Sequence, residues 1–173
     1  MISVPSNFVD EMIEHAVQEN PNECCGILAG KDGLISALYR VRNSTPSPYR
    51  YVMDPKDLMN AERTSDELGQ GLMAFYHSHT HSPAYPSETD TRMAVESGWV
   101  DFCYVLVSLE KEEPAVKFYM IDANGKILEE DFQVTPAIKI YPSRDRHIYG
   151  SRGSLRKLIH HLLYSHYGGG GGY

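Results

Sequence analysis

Apolar residues recur with two different periods along this chain, and each period predicts one kind of element. Helical spacing covers residues 6–19, where Ser6 is the predicted cap, and residues 54–68, where Asp54 and Pro55 begin the helix. Shorter runs, either apolar throughout or alternating with polar residues, predict strands. These strands cover residues 23–29, 34–41, 51–53, 71–76, 102–108, 116–121 and 127–134.

Turn residues join several of these strands into hairpins. Lys31-Asp32-Gly33 lies between two predicted strands, and Asp122-Ala123-Asn124-Gly125 lies between two more. Strands mixed with helices predict an α/β domain with a mixed sheet. A chain of 173 residues with 42% hydrophobic and 23% charged residues is long enough and apolar enough for one such domain.

The sequence shows no signal for a membrane or for secretion. No run approaches the roughly 18 apolar residues that span a bilayer, and residues 1–5 have neither the basic segment nor the apolar core of a signal peptide. Three cysteines, of which Cys24 and Cys25 are adjacent, make a poor disulfide framework. We therefore predict a reducing, cytoplasmic location, with Cys24 and Cys25 as small buried strand residues rather than thiol nucleophiles.

Charge is divided unevenly between the body of the chain and its end. Residues 136–173 carry six Lys or Arg and one acidic residue, a net of +5. Residues 1–135 carry ten basic and 22 acidic residues, a net of −12. An acidic body argues against nucleic acid as the main partner. The basic end has two interpretations, an arm for nucleic acid or another acidic surface, and a segment that docks on the acidic body or on a second copy, of which the second is favoured.

Residues 136–173 are predicted to be an extension beyond the domain of residues 1–135. Ser154 can cap a short amphipathic helix, whose apolar stripe must be buried against the domain or in a homodimer. The five glycines of 168–172 end that helix and are typical of a linker. A second hypothesis, which the final Tyr173 opposes, is that this glycine-rich end enters the active groove of its own or a neighbouring copy.

Two histidines provide the first sign of chemistry. The apolar run 71–76 predicts a buried strand that leads into His77-Ser78-His79. Since side chains alternate along a strand, His77 and His79 point to the same side, one pleat apart. Asp90 follows from the next element, across a loop. Two imidazoles and a carboxylate form a normal ligand set for a catalytic zinc that keeps one position open for water.

The segment Ser87-x-x-Asp90 has two interpretations from the residues alone. It is an ordinary capping box, with Ser87 as the N-cap of a third helix that runs to about Glu96. It can also be part of the same chemical site as the histidines. His81 lies among prolines, which favours a loop position near the site over a place among the metal ligands.

A carboxylate in a separate segment completes a longer pattern, E…H-x-H-x7-S-x-x-D. It resembles the JAMM motif of MPN-domain zinc metalloproteases, with Glu23, His77, His79, Ser87 and Asp90 at its five positions. The surrounding segments resemble the small bacterial branch of the family, the sulfur-carrier-protein–cysteine peptidases (Mec type). The resemblance covers about residues 5–135.

The resemblance implies a three-layer, cytidine-deaminase-like MPN fold with a central mixed sheet flanked by helices. It also implies one Zn²⁺ per chain, held by His77, His79 and Asp90. Glu23 would act as general base and then general acid on a zinc-activated water. The Ser87 hydroxyl would donate to the developing oxyanion.

The implied reaction is hydrolysis of the peptide bond after the C-terminal Gly-Gly of a ubiquitin-like sulfur-carrier protein, which releases cysteine. The close alternative is an isopeptidase that removes ubiquitin-like proteins from lysine. A third alternative is a non-catalytic MPN scaffold, which usually lacks the metal ligands that this chain keeps. A rival from another class is a zinc nucleobase deaminase, which needs H-x-E followed by P-C-x-x-C, whereas the chain has no C-x-x-C. A thermolysin-like protease is disfavoured because no H-E-x-x-H is present.

Overall fold

A mixed eight-stranded sheet forms the centre of the computed structural model, which describes residues 1–100 and 102–138. In chain order the strands are β1 (Ile2–Pro5), β2 (Cys25–Lys31), β3 (Leu34–Val41), β4 (Gly71–His79), β5 (Cys103–Ser108), β6 (Ala115–Ile121), β7 (Ile127–Glu129) and β8 (Phe132–Thr135). Their spatial order is β7-β6-β5-β4-β2-β3-β1-β8. The pairs β4–β5, β1–β3 and β1–β8 are parallel, and the other pairs are antiparallel.

Three helices cover the two faces of the sheet. Helix α1 (Ser6–Glu19) packs on one face, where Phe8 and Met12 join a core with Tyr76. Helices α2 (Pro55–Glu67) and α3 (Glu88–Ser97) lie on the other face, where Ala61 and Ala94 share a second core. The result is a layer of helix, a sheet and a second layer of helices, as predicted.

Alternation along β4 sends neighbouring side chains into different layers. Ala74 and Tyr76 belong to the core under α1, whereas Phe75 belongs to the core under α2 and α3. His77 and His79 continue the series of Phe75. Both histidines therefore face the α2–α3 layer, on one side of the strand as the sequence predicted.

Several predicted elements are confirmed. The strand 34–41 has the predicted limits, and Asp32 and Gly33 form its turn with positive φ at both residues. Asp54 caps α2, and its side chain accepts hydrogen bonds from the backbone N–H groups of Lys56 and Asp57.

Other predictions about the elements are wrong. Ser6 does not cap α1, because the extended Pro5 at the end of β1 holds the N-cap position, and α1 has no side-chain cap. The strand at 51–53 is reduced to a single bridge between Asn43 and Met53. The strand expected at 127–134 is two strands, β7 and β8, which lie at opposite edges of the sheet.

Residues Met1–Ile138 form one compact unit. The helix capped by Ser154 and the glycines of 168–172 lie outside the described residues, so the extension at 136–173 stays a prediction. Within the described part of the chain, no helix is long and apolar enough to cross a membrane.

Candidate metal centre

The end of β4 brings the two histidines together. His77 and His79 are buried, with 0% and 4% of their surface exposed. Their Nε2 atoms lie 3.1 Å apart. Two imidazole nitrogens at this distance need a proton or a cation between them, because two lone pairs that face each other repel.

The first turn of α3 places Asp90 next to this pair. Ser87 accepts a hydrogen bond from the Asp90 N–H through Oγ at 3.1 Å, and the Asp90 side chain accepts one from the Ser87 N–H at 2.7 Å, which forms a full capping box. This box holds Asp90 Oδ2 at 3.4 Å from His77 Nε2 and 3.3 Å from His79 Nε2. The capping interpretation of Ser87-x-x-Asp90 is therefore confirmed, and the same turn delivers a carboxylate to the histidines.

The three atoms form a nearly equilateral triangle that fits a small cation. Ligand atoms bound tetrahedrally to Zn²⁺ at about 2.0–2.2 Å lie about 3.3–3.6 Å from one another. The observed sides of 3.1, 3.3 and 3.4 Å are close to that spacing. His77, His79 and Asp90 thus form a buried group that can hold a metal ion through three ligand atoms.

The two imidazoles have different neighbours. His79 Nδ1 is 2.9 Å from the Pro83 carbonyl oxygen, which fixes the ring so that Nε2 faces the group. His77 Nδ1 is buried, and within the described residues it has no hydrogen-bond partner. Instead the ring of Tyr51 stacks on His77, with centroids 4.4 Å apart and planes at 28°. Sequence reasoning missed Tyr51, because residues 51–53 were interpreted as a strand.

Glu23 approaches the group from just before β2, and three hydrogen bonds hold its backbone. Its N–H donates to the Ser47 carbonyl at 2.8 Å, and its own carbonyl accepts from Asn43 Nδ2 at 3.0 Å. The next N–H, that of Cys24, donates to Ser78 Oγ at 2.8 Å. Asn43 and Ser78 were also missed. An Asn two residues after a strand and a Ser between two site histidines are the sequence signals that could have identified them.

The Glu23 carboxyl is buried, with 5% of the residue exposed. Burial raises its pKa to about 7, with a further increase from the charge of Asp90 and an opposing effect of His79. A carboxyl with this pKa both accepts and releases a proton near neutral pH, which suits acid–base catalysis.

The ligand residues have shifted pKa values as well. Burial lowers the pKa of His77 against the opposing charge of Asp90. For His79, burial acts to lower the pKa, but the hydrogen bonds to Asp90 and Pro83 outweigh it and the net shift is upward. The two histidines and Ser87 hold the pKa of Asp90 well below its usual range, although burial opposes them. The carboxylate is thus charged at neutral pH, as a metal ligand must be.

Ser87 Oγ lies at 2.6 Å from Asp90 Oδ2 and donates its proton to that oxygen. In this geometry the hydroxyl is engaged with the carboxylate, so an oxyanion role requires the hydroxyl to rotate. His81 is exposed and follows β4 in the loop, as predicted. Cys24 and Cys25 are buried, and burial raises the pKa of both thiols, that of Cys24 to about 11. Both are therefore neutral at physiological pH.

Comparisons with known proteins identify the family that this chain resembles. Residues 5–122 match the family model described as prokaryotic homologs of the JAB domain. A Mycobacterium tuberculosis protein named CysO-cysteine peptidase is 31% identical over 137 residues, which cover 78% of this chain and 91% of that protein. A Thermus thermophilus protein named probable TtuB-protein conjugate cleaving protease is 34% identical over 95 residues, 54% of this chain and 64% of that protein.

Two solved structures share the architecture. The solution structure of a Desulfitobacterium hafniense protein, 31% identical, has a TM-score of 0.71 and covers 80% of this chain and 96% of its own. A JAB1/MPN domain protein from Archaeoglobus fulgidus is 18% identical, with a TM-score of 0.50. The match covers 78% of this chain and 97% of that protein's chain. The second likeness concerns the fold alone, and it confirms the predicted MPN fold.

Proposed function

This chain belongs to the family of prokaryotic JAB-domain homologs, and on that premise we propose that it is a zinc peptidase acting on a ubiquitin-like sulfur-carrier protein. Its reaction is hydrolysis of the peptide bond after the carrier's C-terminal Gly-Gly, with cysteine as the amine product. The observation that supports this most is the buried triangle of His77, His79 and Asp90, whose spacing suits a tetrahedral ion.

His77, His79 and Asp90 are the residues that would hold the ion. A bound Zn²⁺ supplies Lewis-acid chemistry, since it polarises a peptide carbonyl and lowers the pKa of water from 15.7 toward about 7. All three residues are buried, so their ligand atoms lie in an environment of low dielectric. The Pro83 carbonyl and the Ser87 N–H hold the His79 ring and the Asp90 carboxylate in place.

Glu23 carries the proton in this proposal. It accepts a proton from the attacking water while the new C–O bond forms, and it gives that proton to the nitrogen as the C–N bond breaks. The products are a carboxylate on the carrier and a free amino group on the leaving residue. In the metal-free protein, burial raises the pKa of Glu23 to about 7, toward the range that suits a group which accepts and then releases a proton.

Ser87 supplies a hydroxyl for the oxyanion once the hydroxyl leaves Asp90 Oδ2. That rotation leaves Asp90 Oδ2 with the hydrogen bond from the Ser87 N–H at 2.7 Å, so the carboxylate stays in place. Loss of one such donor costs on the order of 10²-fold in rate or more.

The two candidate substrates differ in their leaving group. The relative named CysO-cysteine peptidase favours cysteine, and its similarity extends over 78% of this chain. The relative named for cleaving TtuB–protein conjugates favours a lysine side chain as the second candidate, over a shorter part of the chain. In either case an extended Gly-Gly tail has no side chains, so recognition depends on main-chain hydrogen bonds and a narrow groove.

Intact-mass analysis tests the proposal directly. A sulfur-carrier protein with an added C-terminal cysteine is incubated with zinc-loaded wild type, with Glu23→Gln, and with Glu19→Gln as a matched control at an exposed carboxylate. Loss of one cysteine residue with wild type and Glu19→Gln only is the expected result. If the carrier stays intact although zinc is bound, lysine-linked conjugates become the substrate to test. If the carrier stays intact and no zinc is bound, the result supports the scaffold alternative.

A further inference from the structure

We infer that Tyr51 is a positioning residue for His77, which it orients by ring stacking in place of a hydrogen bond to Nδ1. The inference rests on the proposed metal function, because it concerns how a ligand of that ion is oriented. A histidine that binds a metal through Nε2 normally has its other nitrogen fixed by an acceptor. His79 follows this pattern through the Pro83 carbonyl oxygen at 2.9 Å.

His77 departs from the pattern. The residue is 0% exposed, and within the described part of the chain its Nδ1 has no hydrogen-bond partner. Its ring face is instead covered by Tyr51 at a centroid distance of 4.4 Å and an angle of 28°, an ordinary stacked geometry. Stacking restrains the plane of the imidazole, and that plane determines where the Nε2 lone pair points.

Tyr51 can act in this way because its own backbone is held on both sides by one side chain. Asn43 Nδ2 donates to the carbonyl of Arg50 at 3.3 Å, and the N–H of Val52 donates to Asn43 Oδ1 at 3.0 Å. Asn43 Nδ2 also donates to the Glu23 carbonyl at 3.0 Å. The loop that carries Tyr51 is thus fastened to the segment that carries Glu23, so the stacked ring rests on a fixed support.

The stacking hypothesis assigns the role to the aromatic ring and none of it to the phenol hydroxyl. Tyr51→Phe keeps the ring, whereas Tyr51→Leu removes it and leaves an apolar side chain. Tyr49→Leu is a matched control, because Tyr49 lies on the same loop and is 80% exposed.

Zinc affinity, measured by chelator competition, and the visible spectrum of the Co²⁺-loaded protein are the two readouts. Tyr51→Leu is expected to bind zinc about 10- to 100-fold more weakly than wild type, which is the usual cost of losing a residue that orients a ligand, and to show an altered Co²⁺ spectrum. Tyr51→Phe and Tyr49→Leu are expected to match wild type in both readouts. Thermal unfolding of the metal-free proteins checks folding, and Tyr51→Met replaces Tyr51→Leu if the latter does not fold.

Wild-type affinity and spectrum in Tyr51→Leu would overturn the inference, and so would a Tyr51→Phe variant as impaired as Tyr51→Leu, because the hydroxyl would then carry the effect. Failure of the wild-type protein itself to bind zinc or Co²⁺ would instead overturn the proposed function. The two failures are therefore distinguishable in one series of titrations.

Discussion

Neighbouring residues of β4 show two ways in which this fold buries polar groups. On the α1 side, Tyr76 meets His15, with the Tyr76 hydroxyl 2.8 Å from His15 Nδ1. On the α2–α3 side, His77 and His79 meet Asp90 in a triangle of ligand atoms. The first pair satisfies itself with one hydrogen bond. The second group directs three electron-rich atoms at a single point, which only a proton or a cation can satisfy.

Burial does not distinguish the two sides. His15, His77 and His79 are 6%, 0% and 4% exposed. Burial lowers the pKa of His15 to about 4, with a further decrease from the charge of Arg40, so this imidazole stays neutral inside the core. A buried histidine is thus a structural residue on one face of the strand and a candidate ligand on the other, and the convergence of neighbouring acceptors is what separates them.

On the α2–α3 side, the largest expected effect on activity comes from Glu23→Gln. The amide cannot take the proton from water, so turnover is expected to fall by about 10²–10⁴-fold. Zinc content is expected to stay at one per chain, because Glu23 is outside the ligand triangle. Kinetics and metal analysis of the same preparation check both statements. Loss of the metal would make Glu23 a ligand and require new roles for the site residues.

Ser87→Ala is expected to have a smaller effect of two kinds. Activity should fall by on the order of 10²-fold through the lost oxyanion donor, and the free energy of unfolding should fall by about 1 kcal/mol through the lost cap. Asp54→Ala is the control, since the Asp54 side chain also caps a helix, α2. It should show the loss of stability without the loss of activity. Equal turnover in Ser87→Ala and wild type would remove the oxyanion role.

On the α1 side, stability should depend on pH through His15. The folded pKa of about 4 is below the unfolded value of 6.5, so the unfolded chain binds the extra proton between these two values. The free energy of unfolding is therefore highest above pH 6.5 and falls as the pH drops toward 4, by up to about 3 kcal/mol.

Urea unfolding of the metal-free protein measures this dependence, with His15→Gln as the comparison. The glutamine amide would keep a hydrogen-bonding group beside Tyr76 but would not titrate. The difference between the two proteins should grow from pH 4 to pH 6.5 and then become constant. Parallel profiles across this range would show that His15 is not responsible.

The smallest effect is expected from Glu11→Gln. Glu11 Oε1 accepts a hydrogen bond from Arg40 Nε at 2.7 Å, but both side chains are partly exposed, so the loss of stability should be below about 1 kcal/mol. Because the charge of Glu11 raises the pKa of His15, its removal should lower that pKa further. An NMR titration of the His15 ring measures the shift. Glu14→Gln, at the longer contact of 3.6 Å to Arg40, is the weaker control.

Local signals in the sequence predicted much of the arrangement on the α2–α3 side of β4. Alternation along residues 71–79 placed His77 and His79 on one side, and the S-x-x-D spacing placed Ser87 and Asp90 in a capping box. These features depend on residues within a few positions of one another. The five-position pattern brought in Glu23 from a distant segment through its resemblance to a known motif.

Features that depend on distant contacts were not predicted. Strand β1 is four residues long and pairs in parallel with β8, which lies near the other end of the described chain, so no local pattern predicted that pairing. The pairing of β8 with β1 also explains why the run 127–134 divides into two strands. Tyr51 was missed because stacking on His77 depends on a loop whose course is held by the Asn43 side chain.

The position of Asp90 in the first turn of α3 has a kinetic consequence. The ends of helices open far more often than whole domains unfold. When this turn opens, Asp90 leaves the histidines together with the cap that Ser87 provides. The residence time of an ion held by the triangle is therefore expected to depend on how often this one turn opens.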